Sequence, residues 1–157
     1  MSIPTVNTPQ ILHLSARATA EQPAVRIGTI LDASRGVYVN ASITVEHPAV
    51  PVTPTRLAKM RLGGLRRDLL REALAKENPG LTDNAAVKTY FKGTNGRPVA
   101  EKVRANPTFD HLQTAALIHR LARLVGDYPV LAIARSFGLE AGEARHWVSQ
   151  ARKGGAI

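Results

Sequence analysis

The chain predicts an α+β fold: an N-terminal β-hairpin or small antiparallel sheet, then helices, closing in a C-terminal trihelical unit. Two observations carry this expectation. From Ala24 to about His47 apolar and polar residues alternate with a period of two, and β-branched side chains dominate. Beyond Thr53 the apolar period becomes helical, and glycines at Gly126 and Gly138 punctuate the last three helical stretches.

Residues 1–22 show no dominant period. Pro4 and Pro9 break the start, and ILHLSARA suits one helical turn or a short strand equally. AVRIGTIL then sets Val25, Ile27, Thr29 and Leu31 against Arg26, Gly28 and Ile30. Asp32 and Gly36 are turn residues. VYVNASITVEH places Val37, Val39, Ala41, Ile43 and Val45 on one face. A lone hairpin is marginal in water, so its apolar face needs a cover. ILHL, the following helices or a second copy of the chain could supply it.

HPAVPVTPT holds three prolines and reads as an extended linker or the end of the sheet. Thr53 followed by Pro54 is an N-cap followed by proline at the first helical position. The spacing predicts a short helix near 54–61 and a longer one over 65–77, ended by Asn78-Pro79-Gly80. Gly63-Gly64 separates them, because two glycines inside a helix cost about 2 kcal/mol. Leu65, Leu69 and Ala73 form the apolar stripe, widened by Leu62, Leu70 and Leu74. Arg66, Arg67 and Arg71 fall on the polar side, either as phosphate contacts or as a solvated face partly paired with Asp68 and Glu72.

Thr82 or Asp83 can cap a short helix from Ala85 to Phe91, and Asn95-Gly96 favours a tight turn. Lys88, Lys92, Arg97, Lys102 and Arg104, interleaved with Tyr90 and Phe91, make this stretch basic. It could track a nucleic-acid backbone or be an exposed linker. Thr108 then caps a helix whose apolar face is Leu112, Ala115, Ala116, Ile118, Leu121, Ala122 and Val125, closed by Gly126. Pro129 opens a second helix running to Phe137. Gly138 leaves it in a left-handed conformation and Leu139 turns back inward. A third helix, from about Ala141 to Arg152, buries Ala144, Trp147, Val148 and Ala151, at i, i+3, i+4 and i+7. Ala134 is small where two helices cross at a short turn.

The order Ile133, Ala134, Phe137, Gly138, Leu139, then Trp147-Val148 and the Ala-Arg-Lys-Gly-Gly tail, resembles the helix-turn-helix of small actinobacterial and actinophage regulators. The resemblance covers the C-terminal trihelical stretch alone. It implies a DNA-binding transcriptional regulator, or a phage or mobile-element accessory factor, with its last helix in the major groove of double-stranded DNA. On this reading Gly142, Arg145, His146 and Ser149 face the bases. Arg135, Arg152 and Lys153, with Arg66, Arg67 or Arg71, face phosphates. Arg145 is the foremost reader, since a guanidinium can donate twice to one guanine. The chain departs from the pattern where Glu140 replaces the usual Ser or Thr cap and Gly142 and Glu143 follow. Glu140 favours the helix N-terminus electrostatically. Glu143 could accept from a cytosine or orient Arg145. The competing reading is a protein-interaction module with a degenerate helix-turn-helix, in which Glu140 and Glu143 repel phosphate.

Charge agrees with an uneven division of labour. The 157 residues carry a net charge of +9. Residues 1–55 are neutral, with Arg17, Arg26 and Arg35 against Glu21, Asp32 and Glu46, so the whole excess lies behind them. The expected regions are a β-rich assembly or partner-binding part (1–52), a helical and basic connection (53–106) and a DNA-binding part (107–157). The N-terminal part is the expected homodimer contact, because one trihelical unit covers little DNA. Cysteine is absent, no apolar run approaches the roughly 20 residues of a membrane span, and MSIPTVNTPQ lacks a signal-peptide layout. A cytoplasmic, nucleoid-associated protein with no membrane partner is expected. The 5 histidines are scattered, and only His111 and His119 share a helix, with no carboxylate at ligand spacing. No GxGxxG, P-loop or GxSxG motif occurs. No enzyme activity, cofactor or metal is expected.

Overall fold

Alternation becomes a sheet in the first third of the chain. In a computed structural model, which describes residues 4–157, strands β1 (Ile11–Ala16), β2 (Ala24–Asp32) and β3 (Val37–Glu46) pair antiparallel in the order β1-β2-β3. The stretch that fitted a turn or a strand is therefore a strand. Leu12 and Leu14 lie opposite Thr29 and Ile27, all buried. The buried Thr29 hydroxyl donates to the Leu12 carbonyl, so its polar atom has a partner.

The expected face of β3 is half wrong. Gly28 pairs with Ser42 but Thr29 pairs with Asn40, which leaves Ala41 unpaired. This bulge reverses the alternation. Ile43 and Val45 stay opposite Ile27 and Val25, whereas Tyr38, not Val37 or Val39, turns into the core opposite Leu31. A Cβ on Gly28 would lie 2.6 Å from the Ser42 hydroxyl, which would have to turn away. Tyr38 donates its hydroxyl to the Pro9 carbonyl at 2.6 Å. Burial, then the charge of Glu77, pushes its pKa up to about 12.

Helix α1 (Pro54–Lys59) starts where expected, with Thr53 Oγ1 accepting from the Arg56 amide. Helix α2 (Leu62–Glu77) begins before Gly63-Gly64, not after them. First-turn amides have no intrahelical acceptor, so glycine costs less there than in a helix interior; the break falls at Met60-Arg61 instead. A 3₁₀ turn (Pro79–Asp83) leads to α3 (Ala85–Lys92). Its cap is Asn84, not Thr82 or Asp83: the Asn84 carboxamide oxygen accepts from the Ala86 and Val87 amides.

An extended strap, 93–100, and a short helix α4 (Glu101–Ala105) follow. The chain ends in α5 (Phe109–Val125), α6 (Pro129–Phe137) and α7 (Ala141–Lys153). Asn95-Gly96 makes no tight turn. The Gly96 and Val99 amides instead donate to the Arg135 and Phe137 carbonyls at 2.7 and 3.1 Å. These are end-of-helix acceptors that α6 cannot satisfy alone. A Cβ on Gly96 would stand 2.0 Å from the Ser136 carbonyl oxygen, so the strap docks only through glycine.

The inner face of the sheet packs on α2 and α5. The chain's own helices thus cover the hairpin, and a second copy is not required for that. One buried cluster runs from Val25 and Ile27 through Leu70, Leu74 and Val87 to Ile118, Ile133 and Trp147. Regions 1–52, 53–106 and 107–157 differ in secondary structure but share this core.

Two polar knots join the layers. Arg66 donates from Nε to Asn40 Oδ1 at 2.7 Å, from Nη1 to the Val125 carbonyl at 3.1 Å, and also to the Tyr38 carbonyl. Burial, then the neighbouring Arg67, lowers its pKa. Asp127 forms an ion pair with Arg67 Nε at 3.2 Å and accepts from Arg71 Nη1 at 3.0 Å and the Tyr90 hydroxyl at 3.1 Å. Burial and the Asp127 charge push the Tyr90 pKa well above its ordinary value.

Two substitutions test this architecture. Asp127→Asn should lower the unfolding free energy by roughly 2–4 kcal/mol, read from urea unfolding, because Arg71 is left without its inner partner. An unchanged midpoint would remove Asp127 from the role given to it. Gly96→Ala should cost about 1–3 kcal/mol by forcing the strap off α6; wild-type stability would mean the strap is not docked in solution.

Candidate nucleic-acid interface

The pair α6–α7 is set by its turn. Gly138 has φ of 61°, and the Leu139 amide donates to the Ala134 carbonyl at 2.8 Å. Gly138 is required for a second reason, since a Cβ there would meet Pro98 of the strap at 2.6 Å. Leu139 is buried, as its position predicts. At the start of α7 the Glu143 carboxylate folds back and accepts from the Glu140 amide at 2.8 Å. Glu143 therefore caps the helix. No hydrogen bond or ion pair joins it to Arg145 among the described residues, and the two acids that departed from the resemblance have a local structural use.

Trp147 sets the rotation of α7. It is fully buried, and its ring meets Phe137 edge-on at 5.0 Å and His111 at 5.7 Å. Its indole Nε1 donates to the Arg104 carbonyl at 3.0 Å. Ala144, Val148 and Ala151 are buried beside it, in the phase the spacing predicts. With that face inward, Gly142, Arg145, His146 and Ser149 are all exposed. Arg145, Ser149 and Arg152 follow one another at i, i+4 and i+7 on this outward side. His146 and Gln150 are 2.9 Å apart, ring nitrogen to amide nitrogen, and hydrogen-bond across one turn. Arg135 on α6 and Lys153 at the end of α7 are exposed too.

The arginines of α2 behave otherwise. Arg66 is held by β3 and by the end of α5, and the Arg71 side chain is 15% exposed between Asp127 and Asp68. Both are engaged in contacts that join the layers, which a phosphate would have to displace. Arg67 also pairs with Asp127 but is 42% exposed. It lines a cleft with Arg135, Tyr128 and Leu131.

The basic stretch that sequence reasoning read as a linker is docked. The strap seats Pro98 against Gly138, and α4 offers its Arg104 carbonyl to Trp147. The Arg97 backbone thereby lies beside Gly138 with its side chain exposed, and Lys102 is exposed on α4. No local pattern marks them, because their position follows from where the strap docks. Among the described residues no group of three or more His, Asp or Glu side chains could hold a metal ion. No helix is long and apolar enough to cross a membrane.

No family model matches the chain, and neither does any curated protein or any solved structure.

The rotation of α7 can be tested by stability. Trp147→Ala should cost roughly 3–5 kcal/mol through the cavity it leaves. Trp147→Phe keeps the ring packing but strands the Arg104 carbonyl, and should cost about 1–3 kcal/mol. Thermal or urea unfolding measures both. A Trp147→Ala chain as stable as wild type would mean that Trp147 is not in the core.

Proposed function

We propose that this protein binds double-stranded DNA, with α7 as the reading helix in the major groove, and serves as a transcriptional regulator or as a phage or mobile-element accessory factor. The observation that carries this reading is the division among the cations. Among the described residues Arg66, Arg67 and Arg71 make internal bonds, whereas Arg135, Arg145, Arg152 and Lys153 are exposed and form no ion pair. Positive side chains held free of acids on and beside an outward helix face suit a polyanion. Arg145 reads a base; Ser149 and His146 contact a base or phosphate; Gly142 lets the groove approach closely. Arg135, Arg152 and Lys153 hold phosphates, joined by Arg97 and Lys102. The protein acts in the cytoplasm, at the nucleoid.

One reading unit covers a short site, so two half-sites and a homodimer complete the proposal. The outer face of the sheet is the surface we assign to it. Ile11 lies opposite Ile30, and Ile30 opposite Val39, with Ile11 54% and Ile30 39% exposed.

A protein-interaction module is the second reading. Its support is the pair of exposed apolar side chains at the start of α6, where Tyr128 is 77% and Leu131 43% exposed.

Fluorescence anisotropy on a duplex without preferred sequence, titrated with salt, separates the two. DNA binding should weaken with a slope of about −0.9 in log K per neutralised phosphate. After selection of a preferred site from a random pool, Arg145→Ala should reduce discrimination at one base pair by about 1–3 kcal/mol. Lys153→Ala should weaken all sequences alike. A slope near zero, or an Arg145→Ala chain with unchanged affinity and preference, would put the interaction module first.

A further inference from the structure

The two edges of the sheet are treated differently. Leu31 donates its amide to the Gln10 carbonyl, so its backbone groups face β1. Tyr38 lies opposite Leu31 and therefore turns its carbonyl to the free side of β3. Arg66 of α2 donates to that carbonyl and to the Asn40 side chain nearby. The bulge at Ala41 disturbs the same edge. A bulge and a covering side chain are the usual means of keeping an edge strand from pairing further.

The opposite edge, β1, has neither. The Gln10 carbonyl points at β2, and the Leu12 carbonyl accepts from the Thr29 hydroxyl. Gln10, Leu12, Leu14 and Ala16 thus turn their backbone groups inward, toward β2, and by alternation Ile11, His13 and Ser15 turn theirs away from the sheet. These three residues are exposed, and among the described residues their outward N–H and C=O groups have no hydrogen-bond partner. The strand ILHLSA contains no proline and no Lys, Arg, Asp or Glu, and it pairs with β2 without a bulge. An open, unguarded edge of this kind is a template for another strand.

We propose that β1 pairs antiparallel with β1 of a second copy, about a twofold axis at His13, and joins the two three-stranded sheets into one of six strands. The inference rests on the homodimer of the proposed function and names the edge at which the copies meet. The outward groups are symmetric about His13, so Ile11 of one copy lies opposite Ser15 of the other, and His13 opposite His13. Three residues on each strand, donating and accepting once each, form six hydrogen bonds across the axis. With no acidic or basic side chain on the strand, the twofold sets no like-charged Lys, Arg, Asp or Glu pair face to face. On the inner face Leu12 of one copy meets Leu14 of the other, so the apolar layer continues beneath the seam. On the outer face Ile11 flanks the seam, and the two outer faces run together. Self-pairing thus matches the backbone and both faces at once.

The test uses the full chain without DNA, in sedimentation equilibrium and in cross-linking. Wild type should be a dimer. His13→Pro removes an N–H that points away from β2, so it leaves the β1–β2 ladder in place, and circular dichroism checks the fold. It takes two of the six hydrogen bonds from the dimer and should raise the dissociation constant by at least about tenfold. The chain has no cysteine, so His13→Cys introduces the only thiol. Its twin would stand about 5 Å away, and a short bismaleimide should link the two copies. Thr44→Cys, exposed on β3, would be five strand spacings from its twin, roughly 24 Å, and should not be linked. A wild-type chain that stays monomeric overturns the homodimer reading and this joint with it. A dimer that His13→Pro leaves as tight, or in which His13→Cys links no better than Thr44→Cys, overturns the joint at β1 alone.

Discussion

The arrangement depends on one carboxylate. Asp127 sits between the left-handed Gly126 that ends α5 and the start of α6. Its Oδ1 is ion-paired with Arg67, and its Oδ2 accepts from Arg71 and Tyr90. Helices α2 and α3 are thereby tied to the segment that launches the α6–α7 pair. A half-buried charge is costly unless its oxygens are satisfied, and here two donors and a paired guanidinium on two other helices do so. One residue before Arg67, Arg66 makes the opposite connection, to β3 and the end of α5. Helix α2 acts as a two-sided clamp between the sheet and the trihelical unit.

This clamp divides the positive charge of the chain. A basic protein has to keep its cations apart from one another and from its own acids, or else pair them. The arginines of α2 are paired or bonded inward, where they serve cohesion. Those on α6, α7 and the strap face outward without ion pairs, where they are open to an anionic partner. Composition gives one total for both groups, and only position distinguishes them.

Close backbone approach has a similar double use. Gly96 and Gly138 let the strap lie on the end of α6 and on the turn into α7. The strap supplies donors for carbonyls that α6 leaves open, and it carries Arg97 to the flank of the helix pair. Trp147 completes the joint from the other side through the Arg104 carbonyl. The angle at which α7 is presented therefore rests on residues before the trihelical unit as well as within it.

Sequence by itself determined what depends on local periodicity and capping. The β2–β3 hairpin, the helix capped by Thr108, the turn at Gly138 and the inward stripe Ala144–Trp147–Val148–Ala151 were all legible, because each is specified by residues a few positions apart. The outward placement of Gly142, Arg145, His146 and Ser149 followed from that phase. Tertiary structure decided what depends on contacts between distant segments. The bulge at Ala41 turned Tyr38 inward, since register is a property of two strands and not of one. Arg66 and Arg71 became structural because Asn40, Val125 and Asp127 arrive beside them from far along the chain. Arg97 reached the turn into α7 because Gly96 can dock on the Ser136 carbonyl. A side chain's periodicity states which way it points; what it meets there depends on the rest of the chain.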